Sequence, residues 1–180
     1  MWLVIIIVGI ILLIAGYVVW FYNRVMQLKI GIENTHKQIE VAMKKRFDMI
    51  GQLIDVVKAH MKFEKGVMIK VTKLRAMPLK TMNDIDKADD LAKSLFAKIV
   101  ATVENYPNLR SIEAVKDLTS SIRDIESEIA RLRYLYNDQV QKLNTTLVIF
   151  PNNILARLLG LNREEFLRFK EEIEKAPRFR

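Results

Sequence analysis

The side chains best suited to chemistry are few and scattered. There are two histidines and no cysteine among 180 residues, which excludes a thiolate nucleophile, a thiolate metal site and a disulfide framework. His36 and His60 lie on one helical run, too far apart to serve a shared nucleophile. Glu33-Asn34-Thr35-His36 reads ExxH, half of the ligand set that binds paired iron or manganese ions inside helical bundles. The second half is missing, because Val57 stands where the glutamate partner of His60 would be required. Asp84, Asp86, Asp89 and Asp90 form a DxDxxDD cluster that lacks the glycine and closing glutamate of a calcium loop. At the start of a helix, such carboxylates are favoured by the dipole instead. Neither a Gly-rich phosphate loop nor an HExxH motif occurs. The expectation is a protein that is not an enzyme, with no cofactor, no metal and no small-molecule substrate.

Charge is more informative than catalytic groups. Lys and Arg number 29 against 21 Asp and Glu, a net +8, and such an excess usually meets nucleic acid or an anionic membrane. Residues 1–80 carry 13 basic and 5 acidic side chains, whereas residues 81–180 carry 16 of each. The entire excess therefore lies in the N-terminal part, including Lys44-Lys45-Arg46, a candidate face for an acidic partner or another copy. No nucleic-acid partner is expected, since the excess is lost over the last hundred residues and no reading motif is present. Anionic lipid is a partner only for basic groups within reach of the surface.

The elements that hold these residues begin with a membrane span. Residues 2–22 contain no charged side chain and extend roughly 31 Å as a helix, matching a bilayer's hydrocarbon core. Trp2 marks one edge and Trp20, Phe21 and Tyr22 the other, where aromatic rings favour the headgroup level. A cleaved signal peptide would need a basic leader and a shorter apolar core. Arg24, Lys29 and Lys37 follow the span, so the positive-inside rule puts the N-terminus outside and residues 23–180 in the cytoplasm of a single-pass cell-membrane protein. Arg24 and Lys29 are the basic groups expected at the membrane surface. Gly9 and Gly16 share a helix face but not the GxxxG spacing, so they give only a weak oligomerisation signal.

Four helical runs follow, at about 23–76, 84–105, 109–150 and 154–175. The first continues the anchor without a breaker, carries apolar residues from Leu28 to Leu74, and ends before Pro78. Asn83 is the expected cap of the second, which stops at Tyr106-Pro107. The third steps by three or four from Ile112 to Phe150, a near-3.5 seam typical of bundles and coiled coils, and Pro151 ends it. Asn162 with Glu165 fits the cap of a last helix over 163–175. The fold class is all-α: a transmembrane helix running into an antiparallel bundle of four-helix type.

Several stretches together resemble the LemA family. They are Tyr22-Asn23-Arg24, Lys45-Arg46-Phe47-Asp48-Met49-Ile50, Val57-Lys58, Glu64-Lys65, Lys70-Val71-Thr72 and, most distinctively, Glu104-Asn105-Tyr106-Pro107-Asn108-Leu109-Arg110. Arg133, Tyr136-Asn137, Asn144-Thr145, Phe150-Pro151, Asn153 and Gly160 complete the pattern, which covers about residues 20–161. Gly51, Ala59-His60 and Phe63 depart from it. The resemblance implies a membrane-anchored bundle of long antiparallel helices facing the cytoplasm, with no catalytic group assigned. Suggested roles for such proteins centre on membrane integrity and quality control.

The motif residues have structural explanations too. Tyr106-Pro107 and Phe150-Pro151 are helix stops, while Asn137 and Asn144, seven apart, share a face and set register against a partner element. The expected function is a scaffold that self-assembles or binds other membrane proteins. The alternative is an anionic-lipid or curvature sensor using the basic membrane-proximal helix. The first and third runs outlast the second, which leaves their ends without intrachain cover and favours a homo-oligomer.

Overall fold

A computed structural model describes residues 1–61 and 65–167 of the chain. Among them every regular element is an α-helix: α1 (Trp2–Lys58), α2 (Lys65–Ala76), α3 (Met82–Asn105), α4 (Pro107–Arg110), α5 (Glu113–Val148) and α6 (Asn152–Leu158). The all-α anchor-plus-bundle architecture is present. α1 and α5 run antiparallel along most of their length. Thr35 meets Gln139 and Arg46 meets Glu126, so rising numbers on α1 match falling numbers on α5, and Tyr17 meets Asn152 at the start of α6 just beyond.

The first expected run is broken. α1 ends at Lys58, and the His60 and Met61 amides both donate to the Val57 carbonyl in a closing turn. The apolar stripe explains the break. It passes Ile54 and Val57 to Met61, then finds Glu64 and Lys65 where the next apolar position should fall. A straight helix would also leave Val67, Val71 and Leu74 beyond the bundle. Folded back as α2, they join the core instead. The Arg75 side chain of α2 lies back against Gly51 of α1, with its guanidinium Nε 3.6 Å from Asp48 Oδ1.

α3 is capped by Thr81 rather than Asn83. The Thr81 hydroxyl accepts from the Asp84 amide, and the Asp84 carboxylate accepts from the Thr81 amide, a reciprocal capping box. Ile85, Ala88, Ala92, Leu95 and Ile99 of α3 enter one core with Ile39, Met43, Ile50 and Ile54 of α1 and Ile122, Ile129, Leu132 and Val140 of α5. Tyr106 ends α3, and Pro107 opens the single turn of α4 at a position where its missing N–H is harmless.

α3 covers only the end of the α1–α5 pair distant from the anchor. The expected last helix does not form over residues 161–167, which run without helix along the anchor-proximal half. Residues 168–175 lie outside the described residues. Gly160 makes this possible: its φ of 63° terminates α6, and the Leu161 amide reaches back to the Ala156 carbonyl. Part of the cover that the helix lengths leave missing is thus supplied by the chain's own extended segment.

Candidate functional site

Arg46 was expected on an exposed basic face with Lys44 and Lys45. It is instead fully buried, at 0% exposure. Its Nη2 donates to Asp89 Oδ1 at 2.6 Å, and its Nη1 lies 3.7 Å from Glu126 Oε1. Arg133 donates from Nη1 to Asp89 Oδ2 at 2.8 Å and from Nη2 to Asp86. Lys93 Nζ stands 3.1 Å from Asp89 Oδ2. One aspartate therefore ties α1, α3 and α5 together.

The local sequence puts each charge there. Arg46 falls between Met43 and Ile50, Asp89 between Ile85 and Ala92, and Arg133 between Ile129 and Tyr136, all at core-facing spacings. That coincidence of charges in three apolar stripes was the signal for the network, and only a knowledge of which helices meet turns it into a site.

Electrostatics separates the buried Asp89 from the half-buried Glu126. Burial alone would raise the Asp89 carboxyl, but Arg46, Lys93 and Arg133 outweigh it and hold the group below the ordinary aspartate range. Burial pushes Glu126 up, and Arg46 and Lys93 offset this only in part. A cavity of about 530 Å³ adjoins the network, lined by Arg46, Asp86, Asp89, Glu126 and Arg133 and bordered by Glu165 and Phe166. Three cations engage the two oxygens of Asp89 and link the helices that carry them. Glu33 of the ExxH sequence is likewise engaged, by Lys37 at 2.7 Å.

Asn137 and Asn144 do share a face, and their carboxamides grip the extended segment. Asn144 donates to the Glu164 carbonyl at 3.0 Å and accepts from the Glu164 amide at 3.0 Å. Asn137 does the same with both backbone groups of Leu167, at 2.9 Å each. The spacings agree: seven residues of helix rise about 10.5 Å, and three residues of extended chain span about 10 Å. Tyr136 lies beneath, with its hydroxyl donating to the Glu165 carbonyl at 3.4 Å. Burial, with Glu164 and Glu165 nearby, pushes that hydroxyl up to about 12.

At the membrane end, Trp2, Trp20 and Tyr22 are exposed on α1, as is Arg24, while Lys29 sits 3.9 Å from Glu164. Phe21, expected beside them at the headgroups, is fully buried in the bundle core, as is Val25. The bundle therefore begins within the apolar stretch. Tyr17 makes the outermost tie, a 2.5 Å hydrogen bond from its hydroxyl to Asn152 Oδ1. Phe150 and Pro151 form the corner between α5 and α6, with Phe150 80% exposed. Lys44 is paired with Glu40 at 2.5 Å, leaving Lys45 as the exposed member of the basic triplet without such an ion pair among the described residues.

Comparison with known proteins supplies relatives. Magnetosome proteins MamQ 1 and MamQ 2 of Paramagnetospirillum magneticum are each 22% identical over 177 residues, covering 83% of this chain and 65% of their own length. Magnetosome protein MamQ of Magnetospirillum gryphiswaldense is 29% identical over 83 residues, covering 46% of this chain and 30% of the relative. The chain thus spans just under two thirds of the length of the first two. A family model, LemA, matches residues 35–180, which include most of the paired length of α1 and α5, the ion network and both asparagines. The chain belongs to the LemA family.

Proposed function

We propose that this protein is a non-enzymatic, single-pass membrane scaffold whose bundle stands in the cytoplasm and assembles with copies of itself or with other membrane proteins. The observation that carries this reading is the continuity of α1. One 57-residue helix is both the apolar span and a principal core helix, so the bundle is held at a set distance and angle from the bilayer. Self-assembly is supported by Ile30 and Val41, exposed at 66% and 67% on α1. They are eleven residues apart, which places them on one face about 16 Å apart. The ion network and the asparagine clasp stiffen the rod that carries this face. A role in membrane integrity or quality control is the process we assign to such a scaffold.

The anionic-lipid sensor reading draws less support from the side chains. Lys37 and Lys44 are paired within α1, and Arg46 is buried. The chain's lack of cysteine makes a clean test available. Single-cysteine variants Ile30→Cys and Val41→Cys, oxidised in native membranes, are expected to give a disulfide-linked dimer or a mixed adduct with a partner. Uncross-linked monomer from both positions contradicts the proposal.

A further inference from the structure

We infer that the α5–α6 corner is a second membrane contact, immersed in the same bilayer that α1 crosses; this rests on α1 being the membrane anchor. The argument starts from length. The span of residues 2–22 suffices for a hydrocarbon core only if its whole length meets lipid. Yet Phe21 is sealed in the bundle core and Tyr17 is bonded to Asn152. Residues 2–16, the part standing clear of the bundle, rise only about 22 Å. That is roughly 8 Å short of a ~30 Å hydrocarbon layer even for an upright helix, and tilt widens the deficit. The last turn and a half of the span must enter lipid together with whatever is packed beside it.

What is packed beside it is apolar and uncovered. Phe150 is 80% exposed and Leu158 77%, and Ile149, Ile154 and Leu159 are exposed as well. Ile154 and Leu158 lie one turn apart on the outer face of α6, while Ala156 and Asn152 face inward. The Tyr17–Asn152 hydrogen bond fixes this corner at the depth of Tyr17, and the indole of Trp20 lies beside the Tyr17 ring, 5.8 Å between centroids. Arg157 and Arg163 are exposed close by in the sequence, suited to phosphate headgroups. An immersion of about 8 Å falls within the range of interfacial helices. The occupant of this patch is therefore lipid acyl chain, and the corner acts as a foot that sets the angle at which the bundle leaves the membrane.

Depth measurement on the full chain in phosphatidylcholine vesicles tests this. Single cysteines at Phe150→Cys and Leu158→Cys carry an environment-sensitive fluorophore, with Ile10→Cys in the anchor and Ile69→Cys on α2 as references. Quenching by lipids spin-labelled on the acyl chain is expected at 150 and 158 at no less than half the level at 10, with none at 69. Quenching at 150 and 158 equal to that at 69 overturns the inference while leaving the anchor intact. Protection from both lipid and aqueous quenchers overturns it in favour of a protein interface at the corner. No quenching at 10 removes the anchor reading itself, and the inference with it.

Discussion

Asp89 meets three cations, Arg46, Lys93 and Arg133. Replacing it with Asn leaves Arg46 and Arg133 buried without their shared counter-charge, and losing one partner of a buried ion cluster costs about 3–5 kcal/mol. Asp89→Asn is therefore expected to lower unfolding stability by that amount at neutral pH, read by denaturant titration with helical circular dichroism. Because the folded carboxyl titrates below its ordinary value, its contribution is complete above about pH 4 and fades as pH falls through the folded value. The deficit of the variant should shrink in that acidic window. Glu126 has the opposite sign. Its folded carboxyl titrates above the ordinary range, so its support for the fold is complete below the ordinary glutamate value and is lost as pH rises through the raised folded value. Glu126→Gln is expected to stabilise the protein at pH 7 and to match the parent below about pH 4. A loss of stability at pH 7 in this variant would show that the Arg46–Glu126 contact outweighs burial.

Among the elements, the unstructured segment 161–167 is more firmly held than its lack of helix suggests. Each asparagine satisfies two backbone groups of one residue, and a buried group left unpaired costs about 1–3 kcal/mol. Asn137→Ala and Asn144→Ala are each expected to release the segment, seen as faster hydrogen exchange at the Leu167 and Glu164 amides respectively, with α3 and its capping box unaffected. Exchange unchanged in both variants removes the clasp. The asparagines also show why sequence reasoning stopped where it did. Their heptad spacing was legible, and so was a need for a hydrogen-bonded partner, but nothing local distinguishes an extended chain from a helix as that partner. Asn162 and Glu165 suit a helix start, yet the tertiary grip on residue 164 is stronger than the local preference. In the same way the body of α5, Glu113–Val148, was readable because its stripe never lapses, although the expected run of 109–150 also took in residues 109 and 110, which belong to the separate turn α4. The α1–α2 break hid in a single missing apolar turn. Arg46 was misplaced because a Lys-Lys-Arg run looks solvated until its position in the stripe is weighed against Asp89 and Arg133.

At the scale of the whole molecule, one helix links bilayer and bundle, with 41 of its residues from Val18 to Lys58 rising about 62 Å. Such a rod transmits the position of its membrane end to its outer face without a hinge, provided the ion network in the half away from the membrane and the clasp in the half nearer it hold α1, α3 and α5 in register. Ile30 and Val41 are the exposed large apolar residues of α1 between residues 23 and 58, and on the scaffold reading a second copy or another membrane protein covers them. The most direct test of the scaffold account is particle mass in nanodiscs cut from native membranes without detergent. The account predicts particles holding two or more 21.0 kDa chains, or one chain with a stable partner. Particles holding a single chain and nothing else, across the range of expression levels, would contradict it.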